Sequence, residues 1–360
     1  MPSLPEMITE NRQYYIDLAK GGARFPIGTD LVLKEKPDHA VIVLNGERLG
    51  RVVEESAKRW KTPLAIPLMD LTLEKEYMLW LMGQPVASAA TYHFTGIPDS
   101  KLLDLFDKNI SGPVAPRVQA AVDAVKWVSQ NTGLVPSGLT IGPFSLMVKL
   151  LDDAIPAVYM AGTGMGPDDD DDVAALIKML DLCIRVILRS VEAQLDAGAR
   201  LIVIAEPAGS AAYLSPKQVE AGADIFDKLV IQYNRKIADL VASRGANLFF
   251  HCCGELCEPM VRQYGQLRMT MFSFGASRKL WEDAALIDKD IVMYGNLPTK
   301  KFISEDLTVD GVRQQAREIL ERMKATGHPF VLGSECDVLS VMGKEKMLNE
   351  KVEAFLSVKA

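Results

Sequence analysis

The chain of 360 residues has no long apolar run. No stretch approaches the roughly 20 consecutive apolar residues that a membrane span needs. Met1 to Lys20 is polar and mixed in charge, without the apolar segment of a signal peptide. Basic charge is not in excess: the net charge is −7, which argues against a nucleic-acid partner, since such a partner favours a basic face. Aromatics are scarce at 7%, whereas 16 methionines point to an adaptable apolar interior. Cysteine is limited to five, an odd number, with three crowded into residues 252–257. That excludes a disulfide framework and predicts a reducing, cytoplasmic setting. No G-x-G-x-x-G stands between the first strand and helix, so a dinucleotide fold is excluded. Gly162, Gly164 and Gly166 lack the Lys and Ser/Thr of a phosphate loop.

Short apolar runs alternate with longer amphipathic stretches. Strands are predicted at Pro63–Met69, Gly138–Ile141, Leu201–Ala205, Asn247–Cys253, Met269–Phe274, Ile291–Tyr294 and Pro329–Leu332, with Ala87–Phe94 as the best segment for one more. Helices are predicted at Glu6–Lys20, Gly46–Trp60, Leu73–Met82, Val173–Ala197, Pro216–Ser243, Val309–Ala325 and Lys344–Val358. In Val173–Ala197 the residues Leu176, Leu180, Ile184, Ile187, Val191 and Leu195 repeat with helical period. Asp168–Asp172 reads as a solvated loop whose last members favour the N-terminus of that helix. Short, continuously apolar strands, each followed by a helix, imply a parallel sheet covered on both faces. The expected fold is α/β, a (β/α)8 TIM barrel over 61–360 with an N-terminal helical extension over 1–60.

Chemistry in such a barrel gathers at the C-terminal ends of the strands. Those ends carry Met69-Asp70, Gly142-Pro143-Phe144, Glu206-Pro207, His251 and Cys253, Phe272-Ser273-Phe274, Tyr294-Gly295-Asn296, and Ser334-Glu335-Cys336. Side chains two apart on a strand point the same way, so His251 and Cys253 project together while Cys252 faces away. With Cys336 they offer one imidazole and two thiolates. That set suits zinc and leaves a fourth position open, as a catalytic rather than a structural site does. Glu206 is a candidate proton donor if burial raises its pKa; the alternative is a carboxylate that caps the next turn. Glu335 is a second candidate donor, but the favoured reading is a residue that orients a ligand. Met69, Asp70, His93, Phe144, Met271, Phe272, Tyr294, Asn296 and Glu335 are candidate substrate-pocket residues, with a buried core position as the alternative for His93.

The runs HCCGELCEPMVRQYGQLRMTMFSFG, YGNLPT and LGSECDVL resemble the uroporphyrinogen decarboxylase superfamily, and more narrowly its zinc-dependent cobamide methyltransferase branch. In that branch a His-x-Cys pair and a late Cys match His251, Cys253 and Cys336. IGPFSL is similar to the family's Gly-Pro-aromatic turn, and Glu206 stands where the family has an acidic residue. The resemblance covers about residue 138 to the end. It implies transfer of a methyl group between a small methylated compound, such as a methoxylated aromatic, and the cobalt of a corrinoid (cobalamin). The chain has no Asp-x-His-x-x-Gly, so the corrinoid is expected on a partner protein or free. The alternative within the branch is a methylcobamide:thiol methyltransferase; a sulfonated thiol would need basic residues, for which Lys300, Lys301 and Arg278 are the candidates. A tetrapyrrole decarboxylase is disfavoured, because the arginine-rich opening segment that grips propionates is absent. A non-catalytic binding protein is the rival from another class. A homodimer is open.

Overall fold

The computed structural model describes residues 12–358, which form eight strands paired in parallel in one sheet. They are β1 (Arg24–Ile27), β2 (Leu64–Ala65), β3 (Val135–Ile141), β4 (Leu201–Ala205), β5 (Asn247–Cys252), β6 (Met271–Phe274), β7 (Val292–Leu297) and β8 (Phe330–Asp337). Their order is β1-β8-β7-β6-β5-β4-β3-β2, so consecutive strands are neighbours and β1 returns to β8. Helices surround the curled sheet, giving the (β/α)8 architecture. Between β1 and β2 side chains bridge the seam. Thr29 Oγ1 donates to the Ile66 carbonyl at 2.7 Å and Trp60 Nε1 to the Gly28 carbonyl at 3.3 Å.

Strand alternation sorts the side chains into two layers. Phe25, Leu139, Val203, Phe249, Met271, Val292, Tyr294 and Val331 fill the lumen as one buried cluster. Ile202, Ile204, Phe250, Phe272, Phe274 and Leu332 alternate with them and join the helices in the outer cluster. The helix Arg12–Lys20 adds Tyr15 to the luminal cluster. Arg12 Nη1 donates to Asp290 Oδ2 at 2.7 Å, just before β7 begins, so this helix closes the N-terminal end of the barrel and leaves the C-terminal mouth open.

Several sequence expectations need correction. The segment 1–60 is not merely an extension, because it contains β1. RFPI is only four residues long, and the helix Thr29–Lys34 begins two residues later. Ala87–Phe94 is not a strand; the 3-10 turn Val86–Ser88 overlaps its start, and Phe94 makes a single bridge to Leu151. The expected helix Pro216–Ser243 is broken into Pro216–Glu220, a π-helical turn Asp227–Ile231 and Gln232–Ser243, with Gly222 in the left-handed region at φ 89°. The part of Glu6–Lys20 before Arg12 lies outside the described residues. The aspartate run behaves as expected: Asp170 accepts from the Asp172 and Val173 N–H groups and starts the helix Asp171–Asp196.

One buried acid sits in the helix layer. Glu74 Oε1 accepts from Thr140 Oγ1 (3.0 Å) and Ser190 Oγ (3.1 Å), while Oε2 has no partner among the described residues. Burial pushes its pKa up to about 7. Because the folded value lies above the unfolded one, the folded state holds the extra proton between pH 4.5 and 7. Stability from this group is therefore full below pH 4.5 and is lost as pH rises through about 7. Glu74→Gln is expected to remove a pH-dependent loss of about 3 kcal/mol across that window; urea midpoints of both proteins at pH 5 and 8 check this.

Candidate metal centre

β5 ends in Phe249-Phe250-His251-Cys252 and runs on into Cys253. Phe249 belongs to the luminal cluster, and Phe250 and Cys252 to the outer one. His251 and Cys253 therefore share the luminal side, as the period of two requires. β8 reaches the same place by a bulge. Phe25 pairs with Gly333 and Ile27 with Asp337, so four residue steps of β8 span two of β1. Ser334 Oγ accepts the Ile27 N–H at 2.9 Å within that bulge. A Cβ at Gly333 would overlap the Tyr294 ring, so only glycine fits there. The bulge swings Cys336 toward β5.

The ligating atoms of His251, Cys253 and Cys336 all lie within 4.8 Å of one another. Cys336 Sγ donates to Cys253 Sγ at 3.5 Å. That hydrogen bond, the His251 ring and the Lys300 ammonium hold the Cys253 thiol well below its usual range, while the same contact raises Cys336. His251 is 1% exposed; its Nδ1 lies 3.0 Å from Ser273 Oγ, and its Nε2 is buried with no partner among the described residues. A buried ring nitrogen without a partner is costly, and with Nδ1 engaged by Ser273 its lone pair is free to bind a cation. One imidazole and two sulfurs fit a borderline-soft divalent ion such as zinc.

Ser273 is a candidate site residue that sequence reasoning placed at a strand end but did not assign to the site. It pairs with His251 across β5 and β6, and its only signal is a small polar residue between Phe272 and Phe274 at a strand end. Ser273→Ala is expected to weaken metal affinity about 10–100-fold, the usual effect of removing a group that orients a histidine ligand. A competition titration against a chromogenic chelator reads it.

Glu206 lies elsewhere. It shares parity with Ile202 and Ile204, so it leaves β4 on the side of the helices. Its carboxylate is fully buried and accepts from Ser145 N (2.6 Å), Phe144 N (3.2 Å) and Asn234 Nδ2 (2.9 Å). It caps the N-terminus of the helix Pro143–Leu150 across the barrel wall, favourably placed for the helix dipole. A Cβ at Gly142 would collide with this carboxylate, which accounts for the Gly-Pro turn. Burial raises the Glu206 pKa, as expected. The capping alternative, not the proton donor facing the cluster, matches this placement.

The expected pocket residues separate into groups. Met69 and Asp70 line an open cleft at the mouth, where Asp70 is ion-paired with Arg117. Glu335 ties two loops, accepting from Ala276 N (2.8 Å) and Lys300 N (3.3 Å). Asn296 Nδ2 donates to the Gly275 and Arg278 carbonyls at 3.0 and 2.9 Å. Both position the rim beside the cluster. Met271 and Tyr294 are luminal but fully buried below it, and the Tyr294 hydroxyl donates to the Phe25 carbonyl. Phe144 and Phe272 belong to the outer layer and His93 is exposed on a turn, so these three are corrected out of the pocket. Cys257 precedes the helix Glu258–Tyr264 and is not in the cluster.

Fold and site together define an α/β barrel with a soft three-donor site at the C-terminal ends of β5 and β8. Residues 82–355 match the family model described as uroporphyrinogen decarboxylase (URO-D). That is well over half of the chain, which therefore belongs to this family. A solved structure, a methyltransferase from Methanosarcina mazei, is similar over 94% of this chain and 96% of that chain, with a TM-score of 0.63 and 17% sequence identity. At that identity the likeness is one of fold. No curated protein matches the chain. No helix among the described residues is long and apolar enough to cross a membrane.

Proposed function

We propose that this chain is a zinc-dependent corrinoid methyltransferase, moving a methyl group between a small molecule and the cobalt of a corrinoid held by a partner or supplied free. The observation that carries the reading is the buried, unpartnered Nε2 of His251 beside the paired sulfurs of Cys253 and Cys336 at a barrel mouth. His251, Cys253 and Cys336 would hold the ion. When bound, zinc in this donor set supplies a Lewis acid that grips a substrate heteroatom and keeps a thiol deprotonated.

The rest of the chain arranges access. Ser273 fixes the His251 ring, and the Lys300 ammonium donates to the Cys253 carbonyl at 3.0 Å. Exposed apolar side chains follow β1, β7 and β8 in the chain: Val41, Leu44, Ile303, Leu339 and Met342. A flat, apolar corrinoid-bearing partner would meet that rim over the open mouth.

Two routes were expected, demethylation of an O-methyl donor and methylation of a thiol. The ether route wants an acid for the leaving oxygen. Glu206 caps a helix behind the wall and Glu335 is engaged by two backbone N–H groups, which favours the thiol route. Of the three cations a sulfonated thiol could meet, Arg278 is ion-paired with Asp283 and Lys300 donates to the Cys253 carbonyl, while Lys301 is exposed. Turnover of methylcobalamin with a panel of thiols, and of free Co(I) cobalamin with methoxylated aromatics, tests the reading. Zinc-dependent consumption of either pair is the expected result, and no zinc-dependent transfer with any pair removes it.

A further inference from the structure

The two sulfurs of the metal centre stand where the sheet no longer holds the main chain. The last residue of β5 paired with β6 is Cys252, one short of Cys253, and the last residue of β8 paired with β7 is Ser334, two short of Cys336. On its other side this end of β8 meets β1 only through the bulge, at Ile27 and Asp337. Yet the two sulfurs lie 3.5 Å apart, and a metal site tolerates only about 0.5 Å of error in its ligands. Contacts other than the strand ladder must fix those two backbones.

The turn after β7 supplies them. Thr299–Lys301 is a single 3-10 turn. Thr299 Oγ1 donates to the Cys336 carbonyl at 3.3 Å, and Lys300 Nζ donates to the Cys253 carbonyl at 3.0 Å. Two consecutive residues thus hold the main chain of both sulfur donors. The Lys300 N–H also meets Oε1 of Glu335, the residue before Cys336, at 3.3 Å. A Cβ at Gly275 would lie 2.8 Å from the Cys253 carbonyl, so the loop after β6 packs on the same carbonyl. The turn is itself anchored. Phe302 is fully buried in the outer cluster, and the buried Lys351 ammonium donates to the Phe302 and Ser304 carbonyls at 2.7 and 2.6 Å. Those contacts close the loop on itself and on the helix Glu345–Leu356. Thr299 and Lys300 reach past it to β8 and β5.

We propose that Thr299 and Lys300 are positioning residues, a strap that sets the spacing of Cys253 and Cys336 for one metal ion. Neither side chain is a ligand; each acts through the carbonyl of a cysteine. This rests on the proposed zinc centre and names what holds its sulfur donors in place. Thr299, 4% exposed, carries more of the effect than the exposed Lys300, because water can replace a hydrogen bond at the surface but not one inside.

Zinc titration of the full chain in competition with a chromogenic chelator tests it. Thr299→Val keeps shape and charge and removes only the hydroxyl. It should weaken zinc binding about 10–100-fold, the usual effect of losing a group that orients a metal ligand. Lys300→Met should weaken it less. Thr299→Ser and Lys300→Arg each keep a donor and should return the affinity toward that of the parent. Cobalt(II) gives a second readout: its sulfur-to-metal charge-transfer bands should change in Thr299→Val and recover in Thr299→Ser. The metal-free Thr299→Val chain should melt no more than about 4 °C below the parent, the shift expected for one lost hydrogen bond. Zinc affinity equal to the parent in both Thr299→Val and Lys300→Met overturns the proposal. A weaker affinity with unchanged cobalt bands also overturns it, since the donors then keep their places. A parent that takes up zinc while both variants match it retains the zinc centre and removes the strap. A parent that takes up no zinc removes the proposed function and the strap together.

Discussion

Replacing His251 or Cys336 by alanine is expected to lower bound zinc well below one per chain and to abolish methyl transfer. Each of the two supplies one of only three protein donors, whose ligating atoms lie within 4.8 Å of one another. Two remaining donors do not make a zinc site of the usual three-ligand catalytic kind. His251→Ala also loses the Nδ1 contact with Ser273 Oγ and leaves a buried cavity, so circular dichroism should first show that the variant is folded. Cys257→Ala is the control, being a half-buried thiol outside the cluster, and should leave both metal and rate nearly intact. Metal content by mass spectrometry and methylcobalamin turnover read the three variants together. Full zinc occupancy and activity in the first two would remove the metal reading.

Glu206→Ala should cost stability rather than chemistry. The carboxylate satisfies the N–H groups of Phe144 and Ser145 and the Asn234 amide inside the wall. Its removal leaves three buried donors without an acceptor and takes a negative charge from a helix N-terminus. A loss of about 3–5 kcal/mol is expected, seen as a fall in melting temperature on the order of 10 °C. Glu206→Gln keeps one acceptor oxygen and should lose less. At a temperature where the variant is folded, its rate per bound zinc should stay near that of the parent. A rate reduced by 10²–10⁴-fold at unchanged stability would instead restore the role of general acid.

Much of this was legible in the sequence because the barrel writes itself in two periods. Apolar runs in the sequence point to seven of the eight strands, and the long helices Asp171–Asp196 and Val309–Thr326 carry a clear 3.6 period. The alternation at the end of β5 assigns His251 and Cys253 to one side without any structure. β1 escaped because RFPI lies within an irregular lead-in, and half of its register depends on a bulge in the distant β8. Glu206 was ambiguous for a physical reason. A residue just past a strand end can turn toward the lumen or the helices, and what decides it is the space left by Gly142 and the free N–H groups of the helix Pro143–Leu150. Phe144, Phe272 and His93 failed as pocket residues because closeness to a strand end in sequence does not fix the side of the wall. Ser273 carried only a faint local signal, a small polar residue between two phenylalanines, since it matters through His251 on the neighbouring strand.

The most direct test of the central claim is X-ray absorption at the zinc edge of the purified chain. One imidazole nitrogen and two sulfurs at about 2.3 Å are expected, with a third sulfur appearing when an acceptor thiol binds. A zinc environment of only nitrogen and oxygen, or of four protein sulfurs, would contradict it.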